Sequence, residues 1–224
     1  MQIVIRIGGS IVASPLNPVL IGKYANLLKD LKIKGHTVAV VVGGGKLARE
    51  LIQAAKDLGL EEEAQDEIAI SVSRIFAQLF LKKLGELGCK GVPLTIEEAV
   101  KCINEGKIAV MGGLKPGMTT DTVAALIAEK LNADMLIKAT DQEGVYNKDP
   151  RKHADAVKLD RLRFEDLPNV LAEKRHRAGI HQILDPEAVK ILKARRIRVF
   201  VLNGFKPENI LLAVEGKNVG TAIE

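Results

Sequence analysis

VMGGLKPGMTTDTVAALIAEKLNADMLIKATDQEGVYNKD, running from Val110 to Asp149, is the stretch around which this chain is organised. It reads as a strand end, a glycine-rich turn, a capped helix, a second buried strand and a loop of turn residues. Gly112, Gly113 and Gly117 let backbone come close to a ligand, and Pro116 stiffens the turn between them. Thr119, Thr120 and Asp121 stand where a helix begins, and Val123, Leu126, Ile127 and Leu131 supply its apolar period. A helix start offers unpaired N–H groups and a partial positive charge, a setting that suits a phosphate. The strand Met135 to Ala139 then delivers a loop bearing Thr140, Asp141, Gly144, Tyr146, Asn147 and Asp149. Two polar loops joined by a helix and a strand point to a site for two ligands.

Outward from this stretch, strands and helices alternate. IVIRI within Gln2 to Ile7 is a strand that ends in Gly8-Gly9-Ser10. Thr37 to Val42 (TVAVVV) is continuously apolar and β-branched, as expected of a strand covered on both faces in a parallel sheet. It runs into Gly43-Gly44-Gly45 and a helix from Lys46 to Leu58. Helices are expected at Leu20 to Ile33, over Glu61 to Leu84 as one or two pieces, at Ile96 to Asn104, weakly at Leu167 to His176, and at Pro207 to Val214. Asp185-Pro186-Glu187 marks the start of a helix reaching about Arg196: cap, proline in the first turn, acid at the positive end. Strands are expected at Val92 to Leu94, Ile108 to Met111, Ile197 to Leu202 and, at a sheet edge, Thr221 to Ile223; Pro150 to Asp160 reads as polar loop. With no repeat and no linker, the expectation is one domain of 224 residues, an α/β fold with a mainly parallel central sheet.

Composition narrows the function classes. The chain is 47% hydrophobic and 27% charged, ordinary for a globular protein with a sizeable core. Lys and Arg number 33 against 28 Asp and Glu, a modest positive excess, but the basic residues are dispersed and aromatics make up only 3%, so platforms for stacking nucleobases of a nucleic acid are scarce. No run approaches the ~18 apolar residues of a membrane span and no signal pattern precedes the first strand, so a soluble cytoplasmic protein is expected. Cys89 and Cys102 have no CxxC spacing and are expected to be two ordinary buried thiols; no metal site is indicated.

Three strands end in glycine clusters: Gly8-Gly9-Ser10, Gly43-Gly44-Gly45 and Gly112-Gly113. A single cluster is often only a tight turn, but three in one chain fit ligands held beyond the carboxyl ends of a parallel sheet. Neither GxGxxG nor GxxxxGK[ST] occurs, which removes the dinucleotide fingerprint and the P-loop. Arg6 in an apolar strand needs an anion or a carboxylate as partner. Lys46 and Arg49 either clamp phosphates or are solvated. Asp121 either caps its helix or orients cations or Mg²⁺, and Asp66 in EEEAQDE reads as one acid of a solvated face. No histidine or serine spacing signals covalent catalysis.

Taken together, the strand-GGS start, VVVGGGKLAR, GMTTDTVAALIAE and the TDQEGVYNKDP loop resemble the amino acid kinase family, and within it the archaeal uridylate kinases as a group. The resemblance covers essentially the whole chain. It implies a three-layer α/β/α sandwich, ATP and UMP side by side above the strand ends, Mg²⁺ with the ATP, transfer of the γ-phosphoryl group to UMP to give UDP and ADP, and a homohexamer built as a trimer of dimers. The N-terminal part would hold mainly UMP and the C-terminal part mainly ATP. Carried over by position, Arg6 and Asp121 are the catalytic pair, Asp121 orienting the phosphate-binding cations. Gly9, Ser10, Gly45, Arg49, Thr140, Tyr146 and Asp149 fall on the ATP side. Gly44, Asp66 (as ribose ligand), Leu114, Lys115, Pro116, Gly117, Met118, Thr119 and Thr120 fall on the UMP side. Arg6 stands where many relatives have Lys, Asp141 and Glu143 replace a commoner Asn and Asp, and a second phosphate-binding Lys is missing near Gln182, leaving Arg6 and Mg²⁺ more charge to neutralise. Other family kinases, acting on acetylglutamate, carbamate or isopentenyl phosphate, and a non-catalytic nucleotide-binding or storage protein on the same fold are the alternatives.

Overall fold

The computed structural model describes residues 1–167 and 183–224. The sheet is built from β1 (Gln2–Ile7), β2 (Thr37–Val42), β3 (Ala109–Met111), β4 (Met135–Thr140), β7 (Arg161–Leu162), β8 (Arg198–Asn203) and β9 (Thr221–Ile223), ordered β3-β2-β1-β4-β8-β9-β7. Its first five strands are mutually parallel, and β9 runs antiparallel to β8. A separate antiparallel pair joins β5 (Val145–Tyr146) to β6 (Lys158–Leu159). The buried runs of β1, β2 and β4 are continuous rather than alternating, because helices lie over both faces.

The helices begin where the sequence places caps. In α2 (Pro18–Ile33), Asn17 accepts from the Leu20 N–H and Pro18 fills the first position. The region from Glu61 to Leu84 forms one helix, α4 (Glu62–Leu84), packed on α3 (Gly45–Asp57). Thr95 caps α5 (Ile96–Asn104), and Thr119 caps α6 (Thr120–Leu131), which ends on Asn132 in the left-handed region. Asp185 caps α7 (Pro186–Ala194), as its DPE signature predicts. A four-residue helix, α1 (Gly9–Val12), follows β1, and α8 (Glu208–Val214) follows β8. Behind the sheet, the Tyr24 hydroxyl donates to the Gly204 carbonyl at 2.7 Å; burial and the nearby Glu208 charge push its pKa up and keep it a donor.

Several expectations need correction. Val92 to Leu94 is not a strand: Pro93 has no N–H for a ladder, and the parallel contact there is a single bridge between Gly88 and Ile108. The polar Pro150 to Asp160 segment contains β6. Thr221 to Ile223 lies inside the sheet, between β8 and β7, rather than at its edge. Cys89 and Cys102 are not separate thiols but a disulfide, their Cα atoms 5.9 Å apart, tying α5 to the segment that follows α4. The expected helix from Leu167 to His176 extends beyond the described residues.

Candidate active site

The strand order fixes where a site can form. From β1 the chain moves to β2 and β3 on one side, then crosses to β4 on the other side of β1. Such a switch point opens a crevice above the carboxyl ends of the two strands. A cavity of about 470 Å³ lies there, and every residue placed in the catalytic pair or on the ATP side lines it: Arg6, Gly9, Ser10, Gly45, Arg49, Asp121, Thr140, Tyr146 and Asp149. Lys138, Asp141 and Arg151 join them. Arg151 donates from Nη2 to Asp141 at 2.7 Å and from its amide to Asp149 at 3.0 Å, which shapes the rim.

The floor is made by two glycine turns pressed together. A Cβ on Gly9 would stand 2.0 Å from the Gly45 nitrogen, and one on Gly45 would stand 2.3 Å from the Gly9 carbonyl oxygen. Gly45 also has φ +64°, in the left-handed region. No side chain fits between the turns, so the cavity floor is bare backbone at the start of α3. Arg49, one turn into α3, lines the cavity wall, whereas Lys46 is exposed and pairs with Glu50 at 3.4 Å. Of the two cations left open by the sequence, Arg49 is therefore the one at the site.

A buried charge cluster sits at the switch point. Arg6 and Lys138 are opposite one another in the β1–β4 register, and both reach Asp121 in the first turn of α6. Lys138 Nζ donates to Asp121 Oδ2 at 2.5 Å and to the Ile183 carbonyl at 2.5 Å. Arg6 Nε lies 2.9 Å from Asp121 Oδ1, but its N–H is not aimed at the oxygen, so this is a charge contact without a hydrogen bond. Arg6 Nη2 donates to Thr120 Oγ1 at 3.0 Å. Burial alone would raise the Asp121 pKa; the charges of Arg6 and Lys138 and the Lys138 hydrogen bond outweigh it and hold the carboxyl below the ordinary carboxylate range. Burial, with Arg6 beside it, lowers the Lys138 pKa against the pull of Asp121.

Residues placed on the UMP side gather on a second surface, reached through Thr120. Helix α4 grips the loop between β3 and α6 at several points. Asp66 accepts from the Gly117 N–H at 2.7 Å, and Ser73 Oγ accepts from the Gly113 N–H at 2.8 Å. Arg74 donates from Nε to the Gly113 carbonyl and from Nη2 to the Leu114 carbonyl, both at 3.0 Å. A Cβ on Gly112 would be 2.6 Å from the Arg74 backbone nitrogen, so the loop lies directly on the helix. Asp66 is thus no anonymous acid of a solvated face. Gly44 packs toward α4 as well, and Leu114, Lys115, Pro116, Gly117, Met118 and Thr119 follow the loop into α6.

Two details differ from the sequence reading. The start of α6 is not open to a phosphate at Asp121 and Thr122, because Thr119 Oγ1 already accepts from both N–H groups and itself donates to Asp185. A second cation, Lys138, which the sequence reading does not name, shares Asp121 with Arg6. Lys138 carries the same sequence signal as Arg6, a charge inside a buried β-run, yet the sequence reading gives it no role. Arg74 and Ser73 have no such signal, because nothing in their spacing shows what they grip. Gln182 lies outside the described residues.

Among the described residues no three His, Cys, Asp or Glu side chains come together as a metal cage, and no helix is long and apolar enough to cross a membrane. The model of the amino acid kinase family matches residues 1–203. The chain is 42% identical to the uridylate kinase of Methanocaldococcus jannaschii over 100% of both chains, and 41% identical to that of Methanosarcina acetivorans, covering 98% of this chain and 93% of the other. The crystal structure of uridylate kinase from Archaeoglobus fulgidus superposes with a TM-score of 0.90 at 38% identity, with all of both chains covered.

Proposed function

The chain belongs to the amino acid kinase family, and from that membership we propose that it transfers the γ-phosphoryl group of ATP to UMP, giving UDP and ADP. The observation that carries the proposal is the bridge made by Arg6. Its guanidinium is held against Asp121 at the foot of the cavity and donates to Thr120 at the start of α6, where the α4-held loop ends. One cation therefore stands at the junction of two ligand surfaces, where a phosphoryl group passing between two anions would need it. The full-length likeness to uridylate kinases supports UMP as the acceptor.

The protein's work in this transfer is positioning and neutralisation. Gly9, Ser10 and Gly45 with the first turn of α3 present backbone and a hydroxyl to the ATP phosphates, Arg49 adds charge, and Thr140, Tyr146 and Asp149 border the nucleoside. Asp66 and the 114–120 loop hold UMP. The attacking oxygen belongs to an ionised phosphate, so no general base is required. Mg²⁺ fits as a companion of the ATP phosphates, which with water supply most of its oxygen ligands; its charge would assist the transfer. Asp121 is already engaged by two cations, so its place is to orient them.

The proposal extends to organisation. One domain spans 1–224, with ATP-side residues drawn from both halves of the chain. Exposed Leu47, Leu51 and Leu58 on and just after α3, with Ile75 and Leu79 on α4, form apolar stripes that support burial between copies in a homohexamer, a trimer of dimers. The substrates support a cytoplasmic place of work. ADP release from MgATP is the test, with UMP, CMP, dUMP, AMP, acetylglutamate, carbamate and isopentenyl phosphate as acceptors. Turnover confined to UMP and close analogues is expected. Preference for a non-nucleotide overturns the acceptor, and ATP binding without turnover of any acceptor makes the chain a binding protein. Mass photometry at nanomolar concentration tests the hexamer.

A further inference from the structure

Arg6, Lys138 and Asp121 carry two positive charges and one negative in a buried cluster at the foot of the cavity. Asp185, the next carboxylate, is committed elsewhere: it accepts from the Thr119 and Thr122 hydroxyls and from the Glu187 and Ala188 amides. A buried excess cation costs free energy unless an anion meets it. Lys138 is also the better fastened of the two cations. Its stem leaves the middle of the sheet between β1 and β8, and its ammonium is pinned by both Asp121 and the Ile183 carbonyl. Asp121 is thereby held through Oδ2, while its Oδ1 faces Arg6 without a formed hydrogen bond. The guanidinium is left turned toward Thr120 and the Gly8 and Gly43 turns: Arg6 Nη1 and Nη2 are 3.2 and 3.5 Å from where Cβ atoms on those glycines would stand.

We propose that Lys138 is a positioning residue for phosphoryl transfer: it pins Asp121 from behind, which keeps Arg6 aimed into the cavity, and leaves the cluster one positive charge in excess where the transition state gathers negative charge. The inference rests on the kinase activity proposed above but not on the identity of the acceptor. A merely structural ion pair behaves differently: removing one partner of it lowers stability, and activity falls only as the fold is lost.

Lys138→Met keeps the length and removes the charge. Steady-state kinetics, thermal melting and titration of the complex with MgADP, aluminium fluoride and UMP are compared with wild type. kcat should fall about 100-fold with KM for ATP and UMP within about threefold, and the aluminium fluoride complex should weaken in proportion to kcat. Because Arg6 still faces Asp121, the carboxylate keeps a counter-charge, and the melting temperature should fall by only a few degrees. A kcat within threefold of wild type overturns the proposal, as does a joint loss of kcat, both KM values and melting temperature. Should Lys138→Met fail to fold, Lys138→Gln is measured with the same expected and overturning results. Wild-type turnover of another acceptor overturns UMP instead, and the variant is then compared on that acceptor; wild type inactive on every acceptor overturns both.

Discussion

Arg6 and Lys138 stand opposite one another on neighbouring parallel strands, and both cations converge on the single carboxylate of Asp121. Like charges in adjacent register repel, so the arrangement holds only with a shared counter-charge between them and an anion expected beyond. Arg6 is the member that reaches toward the second ligand surface. Arg6→Ala should therefore lower kcat by roughly 10²–10³-fold, and Arg6→Lys should recover part of it, because charge returns without the planar fork. Near-normal kcat in Arg6→Ala, measured with saturating MgATP and UMP, would remove Arg6 from the mechanism.

Asp66 has a different signature. Its carboxylate accepts from the Gly117 N–H, and the proposed function gives it an acceptor ribose as a second partner. Asp66→Asn should raise KM for UMP about tenfold while leaving kcat and KM for ATP within about threefold, the loss expected of a charge-assisted hydrogen bond used for binding. Unchanged dependence on UMP would confine Asp66 to holding the loop.

Acid stability should report on Asp121. Folding holds its carboxyl below the unfolded value, so the stabilisation is fully present above the unfolded pKa and is lost as pH falls through the folded one. Melting temperatures of the wild type should drop with an extra acid slope below about pH 4. Asp121→Asn should melt lower at neutral pH, since two buried cations lose their counter-charge, and should lack that part of the acid slope. Parallel acid limbs for the two proteins would show that Asp121 contributes nothing to it.

The Cys89–Cys102 bridge closes a short loop between positions 13 apart. Its removal by reductant or by Cys102→Ser should cost about 3 kcal/mol, a fall in melting temperature of roughly 6–12 °C for a chain of this size. Activity at 25 °C should be retained, because the bridge lies away from the cavity-lining residues. A melting curve unaffected by reductant, with two free thiols on titration, would show the pair to be unlinked.

Much of this architecture was legible in residues. The β-branched run TVAVVV, the capped starts at Thr119 and Asp185, and the glycine clusters at three strand ends each have a local physical cause, and each stands where that cause puts it. The cavity followed from the clusters after β1 and β2, whereas Gly112-Gly113 lies against α4. Illegible parts depend on partners distant in the chain. Lys138 acquires its meaning only when β4 lies beside β1 and α6 brings Asp121 across. Arg74 and Ser73 matter because their helix lies under Gly113 and Leu114. The disulfide needs two Cα atoms brought to 5.9 Å by α5, which no spacing announces. The antiparallel insertion of β9 is likewise a choice among edges that a three-residue strand does not encode.

Helix α4 carries Asp66, Ser73 and Arg74, which hold the 113–117 loop, and also the exposed Ile75 and Leu79. Grip and outward face are therefore parts of one rigid rod. In the proposed hexamer a neighbouring copy resting on Ile75 and Leu79 would bear on the same rod that fixes the loop beside Thr120, so assembly and acceptor binding would share one element.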